Sequence, residues 1–394
     1  MRLTLSGAVC VFLFFLWVGC GPSSVGPSDS GTDSPSSDAG LPPPSFPQVE
    51  NQHGAVLTAP NVIPIFFAND SEQPEFEDFL NQLAQSSFWA QATSEYGAGP
   101  LTIGSSIVVT DTPPTTIDIV GIETWLEGYL DADAGWPGVT ENNIFTVIYP
   151  SATTIDDPIM GTSCVDFNSF HNQGIVNTNL VFVAVPRCPS AGNLTGFDAL
   201  SAGLSHEIIE AATDPLLQTS PAWVYTDSDH LIWSFIPGAE IADMCALEPQ
   251  SFQRLVGPYI VERPWSNASA LAGHDPCVPV LSQPYFNAMP LFTEDVNIAF
   301  QVHYVVTKGV QIAVGQSKTV DVSLFSDGPT SDWMVQAIDT TQPPALTFSW
   351  DAQTGNNGDT LHLTITRTAS TSSEFVIEST SGTSTNLWFG FVAD

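Results

Sequence analysis

Apolar residues follow two different patterns along the chain, one before and one after residue 284. In the first part, short apolar runs alternate with segments in which apolar residues recur every third or fourth position. The short runs predict strands at residues 62–67, 101–109, 144–149 and 180–185, and the periodic segments predict helices at residues 76–92, 119–130 and 197–213. Alternating strands and helices indicate an α/β or α+β layer domain, and we predict the α+β class.

After residue 284, short segments of alternating apolar and polar residues are separated by Gly, Asp, Ser and Pro. They predict strands at residues 302–306, 310–314, 317–324, 333–338, 346–350, 360–366, 375–379 and 387–392. This pattern is typical of an all-β sandwich of immunoglobulin-like size. Because this part contains no cluster of His, Cys or paired carboxylates, we expect it to serve adhesion, spacing or packing against the first domain.

The N-terminal segment has the layout of an export signal. Arg2 precedes an apolar run that ends at Gly19 and Cys20, and the run is shorter than the roughly 20 residues that a spanning helix needs. The sequence Leu-Trp-Val-Gly-Cys resembles a lipobox, although Trp17 stands where that pattern prefers Leu. We therefore predict lipid attachment at Cys20, with simple cleavage and release as the alternative. Export from the cytoplasm holds under both, with anchoring to a bacterial membrane under the first.

Residues that follow the signal are mostly Ser, Pro, Gly and Asp, a composition that cannot bury enough surface to fold. The sequence thus predicts four segments. They are a lipoprotein signal peptide at residues 1–20, a disordered tether at 21–48, an α+β domain at 49–283 and the β-sandwich at 284–394.

Charge narrows the choice of partners. The 394 residues include 7 Lys and Arg against 42 Asp and Glu, for a formal net charge of -35. Nucleic acid and anionic membrane surfaces are poor partners for such a field, so we expect no nucleic acid and membrane contact only through a lipid anchor. Cations are favourable partners, as diffuse counterions or at specific carboxylate sites.

Four cysteines lie beyond the leader, at Cys164, Cys188, Cys245 and Cys277. An even number in an exported chain favours disulfides. Pairing of sequence neighbours, the first with the second and the third with the fourth, is the simplest of the three connectivities. The cysteines lack the close paired spacing of zinc knuckles, which argues against metal ligation by them.

The segment with the clearest chemistry is Ser-His-Glu-Ile-Ile-Glu within the predicted helix at residues 197–213. With about 3.6 residues per turn, His206 and Glu210 project from one face, and Glu207 lies beside His206. This is the logic of the HExxH zinc helix with a carboxylate as second ligand, in which the internal Glu acts as the base. A lone HExxE is common on amphipathic helices. Here the polar residues interrupt an apolar helix, and their burial is costly without a metal or a dense hydrogen-bond network.

A third protein ligand is needed for a tetrahedral site, and acidic residues recur one turn apart beside Cys245. Glu240 is the first choice and Asp243 the main alternative. Asp243 or Asp214 is a candidate for the outer carboxylate that holds the imidazole of His206 in one tautomer. Weaker ligand candidates on loop-like sequence are His230 and His274. A serine nucleophile is disfavoured because Ser205 lacks the flanking glycines of a nucleophile elbow.

Several of these segments match a known pattern. Residues 205–215, then 238–245, 261–267 and Cys277, resemble a set of bacterial secreted proteins with an HExxE-TDP core. They are more distantly similar to the plant EXORDIUM, or phosphate-induced, proteins. Residues 164–171 also resemble the Cys…His segment that these families carry before the helix. The resemblance covers roughly residues 55 to 280.

The resemblance implies a zincin-like, metallopeptidase-type extracellular domain with disulfides, while a proven activity is not part of it. Carried over by position, it points to His206, Glu207, Glu210, Glu240 and Asp243. His171 is a further residue expected to face the site, as a hydrogen-bond donor in the transition state or as a structural polar residue beside Cys164.

Together these observations predict an exported zinc-dependent hydrolase, a metallopeptidase acting on extracellular protein or cell-wall material. Glu207 would take a proton from water and return it to the leaving amine. The first alternative is a non-catalytic surface or adhesion lipoprotein in which the same acids bind a structural cation, for which Ca²⁺ is the second candidate. Calcium sites take six to eight oxygens and rarely a His, so His206 favours Zn²⁺. Cleavage of glycosides by a carboxylate pair is disfavoured, because Glu207 and Glu210 lie on one helix.

Overall fold

The computed structural model describes most of the chain downstream of the leader. The described residues are 45–132, 135–158, 160–233, 239–300 and 303–393. The predicted signal peptide, Cys20 and residues 21–44 of the predicted tether lie outside them. Within the described part of the chain, no helix combines the length and the apolarity needed to cross a bilayer.

The part before residue 284 contains helices and mostly short strands. Its strands are β1 Val49–Asn51, β2 Asn61–Phe67, β3 Thr102–Ile103, β4 Ile107–Val109, β5 Thr116–Ile117, β6 Asn143–Ile148, β7 Thr154–Asp157, β8 Gly161–Thr162, β9 Phe170–Gln173, β10 Val181–Val185, β11 Ser190–Ala191, β12 Leu194–Thr195, β13 Trp223–Tyr225, β14 Phe252–Val256 and β15 Tyr259–Glu262. Its helices are α1 Gln73–Gln85, α2 Ser87–Thr93, α3 Ile119–Asp131, α4 Phe197–Thr213 and α5 Asn267–Leu271, with 3₁₀ turns at Ser94–Tyr96, Ser228–Trp233 and Asp243–Cys245.

A mixed sheet forms the centre of this domain. Its strand order is β3-β2-β6-β10-β9, with β4 also paired to β2. Strands β2, β6 and β10 run parallel and are covered on both faces, which explains why the sequence shows them as continuous apolar runs. The edge strand β9 runs antiparallel to β10 and places His171 opposite Val183.

Helices cover both faces of the sheet. Alternate residues of β2 divide between the two sides: Val62 and Phe66 pack in the core shared with α1, α2 and α4, while Ile63 and Ile65 pack with Ile122 of α3. This period of two is the geometry of a strand between two layers. The α+β layering predicted from the sequence is thus present, and it brings α4 against β9 and β15.

Two predicted elements are divided in the structure. The helix expected at residues 76–92 breaks at Ser86, whose backbone is extended and whose hydroxyl caps α2 by accepting from the Trp89 amide at 3.4 Å. The strand expected at 101–109 becomes β3 and β4. Their register on β2 shifts by one residue between Asn61↔Thr102 and Ile65↔Ile107, so an extra residue is accommodated between them.

Two sheets form the sandwich that the sequence predicts after residue 284. Its strands are β16 Phe286–Pro290, β17 Glu294–Phe300, β18 His303–Gln311, β19 Ser317–Ser326, β20 Trp333–Asp339, β21 Leu346–Trp350, β22 Thr354–Gly355, β23 Thr360–Arg367, β24 Ser373–Ser381 and β25 Ser384–Ala393. The sheet orders are β16-β19-β23-β21 and β17-β18-β25-β24-β20-β22. The segments predicted at 302–306 and 310–314 are parts of one element, because β18 continues through Gly309 in pairing with β17. The pattern also missed β16 and β17.

Phe46 joins the two domains. Its ring is 6% exposed and contacts Trp233 and Trp265 of the first domain and Phe325 and Trp388 of the sandwich, with ring centroids 5.6–6.1 Å apart. The predicted tether to residue 48 is therefore wrong at its last residues. A single aromatic residue in a Ser/Pro-rich segment buries enough apolar surface to hold the backbone in place.

A buried carboxyl group, that of Glu248, also links the two domains. Oε2 of Glu248 accepts a hydrogen bond from the Leu387 amide of the sandwich at 3.1 Å, and its Oε1 has no hydrogen-bond partner among the described residues. Burial raises the pKa of Glu248 from 4.5 to about 8. The folded protein therefore binds a proton at Glu248 that the unfolded chain releases at a much lower pH.

This difference predicts that Glu248→Gln changes the pH dependence of stability. Between pH 4.5 and about 8 the folded state holds the extra proton, so rising pH lowers the free energy of unfolding of the wild type. The loss is at most about 1.4 kcal/mol per pH unit, and the amide removes it. In urea unfolding between pH 4.5 and about 8, the free energy of unfolding of Glu248→Gln should rise relative to that of the wild type as pH increases. The surface variant Glu141→Gln serves as control, and a constant difference would contradict the prediction.

Candidate metal centre

Helix α4 supplies three charged residues to a buried cluster. It spans Phe197–Thr213, in agreement with the predicted range, and its residues from Leu204 to Thr213 are all buried. The helix ends before Pro215, since the residue preceding a proline disfavours helical geometry. Asp214 then accepts a hydrogen bond from the Ala222 amide at 2.8 Å, which turns the chain away from the helix.

His206 lies at the centre of the first group of donors. Its Nε2 is 3.1 Å from Oε2 of Glu210 and 3.6 Å from Oδ1 of Asp243, and the donor atoms of these residues lie within 4.8 Å of one another. Its Nδ1 is 2.9 Å from Oε2 of Glu262 on β15. The backbone amide of Glu262 donates to Ser205 Oγ at 3.1 Å, which fixes β15 against α4. The Nε2 atom of this imidazole therefore faces Glu210 and Asp243, while its Nδ1 atom contacts Glu262.

His171 lies at the centre of a second group. Its Nδ1 is 3.3 Å from Oε2 of Glu207 and 3.6 Å from Oε2 of Glu210. Its Nε2 is 3.4 Å from Oε2 of Glu240. Ser169 Oγ donates to the remaining oxygen of Glu207 at 2.9 Å. The edge strand β9 thus brings a second imidazole against the α4 acids.

The structure places the two candidates for the third ligand in different groups. Asp243, the alternative ligand, stands in the His206 group, whereas Glu240, the first choice, stands against His171. The carboxylate that holds His206 from behind is Glu262, which sequence reasoning missed; its only signal was its place in the matched segment 261–267. The weaker candidates contact acids elsewhere: His230 with Asp227 at 2.7 Å and His274 with Asp327 at 3.3 Å.

Burial shapes the electrostatics of the cluster. It raises the pKa of Glu210 to about 7, with a further contribution from Asp243, and the pKa of Asp214 to about 7. It also raises the pKa of Glu240 well above its usual range. Burial opposes the charged form of His206, but Glu210 and Glu262 outweigh it and raise the pKa. Without another cation, the site retains protons, and a divalent ion would displace them.

The His206 group fits a zinc ion by donor chemistry. Zinc binds nitrogen and oxygen at about 2.0–2.2 Å in a tetrahedron, whose ligand atoms are then about 3.3–3.5 Å apart. The separations of 3.1 and 3.6 Å around Nε2 of His206 bracket this value. An imidazole in the donor set disfavours Ca²⁺. In addition, Glu240 is 0% exposed and neither carboxylate oxygen has a hydrogen-bond partner among the described residues.

Both predicted disulfides are present, between Cys164 and Cys188 and between Cys245 and Cys277. The first links the segment before β9 to the segment after β10, and the second ties the 3₁₀ turn that carries Asp243 to the chain beyond α5. The bridges therefore restrain two of the segments that deliver donors to the cluster.

A small cavity of about 40 Å³ reaches His206, Glu207 and Glu262. It holds about three or four water-sized groups. Small residues in the first turns of α4 form part of its wall, and the remaining lining is mainly apolar. These lining residues are Asn168, Ser169, Ala191, Leu194, Ala199, Ala202, Gly203, Ala246 and Phe252. The cavity therefore gives a small molecule or side chain access to the charged residues.

No protein-family model matches the chain, and the comparison with curated proteins finds no match. Among solved structures, domains 4 and 5 of the S-layer protein SbsC match at 21% identity and a TM-score of 0.18. The match covers 27% of this chain and about half (54%) of that structure. A conjugative transposon lipoprotein from Bacteroides eggerthii DSM 20697 matches at 10% identity and TM-score 0.20 over 28% of this chain and 97% of its own. Similarities at these TM-scores carry no conclusion about this protein.

A pair of helix glycines tests the packing beside Glu207. A β-carbon on Gly203 of α4 would lie 2.9 Å from Ser169 Oγ, which is held by Glu207, whereas one on Gly128 of α3 meets nothing within 4 Å. Gly128→Ala should raise the free energy of unfolding by about 1 kcal/mol through helix propensity. Gly203→Ala should lose this gain to the close contact. Urea unfolding measures both, and equal stabilisation would show that Ser169 is not fixed.

Proposed function

We propose that the chain is an extracytoplasmic zinc-dependent hydrolase, a metallopeptidase with a zincin-like domain. The supporting observation is the convergence of His206, Glu210 and Asp243 around one point, with Glu262 on the far side of the imidazole. Carboxylate partners of this kind orient metal-binding histidines. His206, Glu207 and Glu262 line a cavity, which a purely structural ion does not require.

Each residue has a proposed part. His206, Glu210 and Asp243 would hold the ion, which when bound supplies Lewis acidity and lowers the pKa of water. Glu207 lies outside this group and lines the cavity, so it can accept a proton from water and pass it to a leaving amine. Ser169 fixes one oxygen of Glu207. His171 contacts the other, so its part is to position that base.

The proposed substrate is extracellular protein or cell-wall material. Two disulfides are in accord with an oxidising compartment, and with the export signal and lipid attachment at Cys20 expected from the sequence. The cavity accepts only a small group, which favours a substrate residue with a small apolar side chain next to the scissile bond.

One observation favours the alternative, a non-catalytic surface lipoprotein stabilised by metal. The side chains of His206, Glu210 and Asp243 are only 1–4% exposed, and the cavity is small. In this case the same residues would hold a structural ion, and the sandwich would make the contacts.

Metal content and one conservative substitution test the proposal. Purified, dialysed protein should contain zinc, and His206→Ala should lose the ion from its group. Glu207 is not in the His206 group, and Gln has nearly the same shape as Glu. The ion of that group should therefore stay bound in Glu207→Gln, while hydrolysis of a casein or peptidoglycan substrate falls by about 10²- to 10⁴-fold. Glu378→Gln in the sandwich, whose carboxyl accepts from Gln336 at 2.8 Å, is the matched control. Calcium or no metal would overturn the hydrolase; bound zinc with no cleavage by the wild type would establish the alternative.

A further inference from the structure

The two histidines of the cluster have the same surroundings. His206 faces two acids, Glu210 and Asp243, through one ring nitrogen and a single acid, Glu262, through the other. His171 repeats the arrangement with its nitrogens exchanged: Nδ1 faces Glu207 and Glu210, and Nε2 faces Glu240. Glu210 belongs to both sets. A pair of acids on one nitrogen and a lone acid on the other is the pattern of a metal-binding imidazole with its orienting carboxylate.

We propose that His171 Nδ1, Glu207 and Glu210 form a second divalent-cation site that shares Glu210 with the first. It rests on the zinc site proposed above. With the second ion bound, Glu207 and His171 would be its ligands, so the part of free base assigned to Glu207 above applies to the protein with one ion. The nitrogen lies 3.3 and 3.6 Å from the two carboxylate oxygens, and all three donors lie within 4.8 Å of one another. Charge-assisted hydrogen bonds are shorter, about 2.7–2.9 Å. The contact with Glu207 is therefore a long hydrogen bond, and both separations match the edges of about 3.3–3.5 Å that a tetrahedral zinc ion imposes.

Glu240 provides a second, independent observation. Its side chain is 0% exposed and aimed at His171, 3.4 Å from Nε2, yet neither oxygen has a hydrogen-bond partner among the described residues. Nε2 of His171 also lacks one in this part of the chain. Leaving such groups unsatisfied costs about 1–3 kcal/mol or more. An ion on Nδ1 would fix the proton on Nε2 and let Glu240 accept it.

The charge of the cluster supports two ions. Six buried carboxyl groups surround the two imidazoles: Glu207, Glu210, Asp214, Glu240, Asp243 and Glu262. Metal binding would displace the protons that these acids otherwise retain, after which one divalent ion offsets two of the charges and a second offsets two more. Buried charges are tolerated only when they are paired or coordinated. Imidazole with carboxylates suits zinc, iron or manganese, and a shared carboxylate fits ions about 3.5–4 Å apart.

Manganese binding to the full-length, metal-depleted protein tests the second site. The wild type should bind two Mn²⁺ per chain, and its electron paramagnetic resonance spectrum should show exchange coupling, because the ions share Glu210. His171→Gln should bind one ion with an uncoupled spectrum. His362→Gln is the matched control, since His362 also contacts two acids, Asp351 at 2.6 Å and Asp321 at 3.6 Å, but is 51% exposed. It should keep both ions and the coupling.

The outcomes separate the two proposals. One uncoupled ion in the wild type, unchanged in His171→Gln and lost in His206→Ala, would overturn the second site and leave the zinc site standing. No bound ion would overturn both. If circular dichroism shows that His171→Gln does not fold, Glu240→Gln replaces it; loss of the orienting carboxylate should weaken the second ion by about 10- to 100-fold and spare the first. If both ions bind Glu240→Gln as tightly as they bind the wild type, the result counts against the second site.

Discussion

The structure around α4 depends on one constraint, the burial of many carboxyl groups beside two imidazoles. Such a cluster is stable only if each charge has a partner at close range. Several segments meet this requirement: β9 brings His171, the segment before Cys245 brings Glu240 and Asp243, β15 brings Glu262, and α4 with the residue after it carries the rest. Both disulfides fix segments of this set, so the covalent framework and the charged cluster reinforce each other.

Local patterns predicted much of the fold. The range of α4, the apolar strands β2, β6 and β10 and most sandwich strands follow from periodicity and composition. The cysteine pairing, predicted as the simplest of three connectivities, is also present. Short elements were missed because they carry no periodic signal. Strand β9 is only four residues long and reads Phe-His-Asn-Gln, yet it borders the cluster. Its position is set by pairing with β10, which is a tertiary contact.

The sequence likewise predicted only some of the candidate metal ligands. His206 and Glu210 could be paired from the sequence because a helix fixes their spacing. The choice between Glu240 and Asp243 could not be made, since they lie on a loop and a 3₁₀ turn, where spacing does not determine direction. Glu262 is 56 residues from His206 in the sequence, and an isolated acid on a strand is usually solvated. Only the packing of β15 on α4 shows that it is buried.

The position of Phe46 has a mechanical consequence. The chain enters the folded body through an aromatic cluster to which both domains contribute, rather than through the free end of a strand. A pulling force applied upstream would therefore reach the domain seam first and load the sandwich and the α+β domain together. Such a load would reach this aromatic cluster before it reached β1, the first strand of the α+β domain.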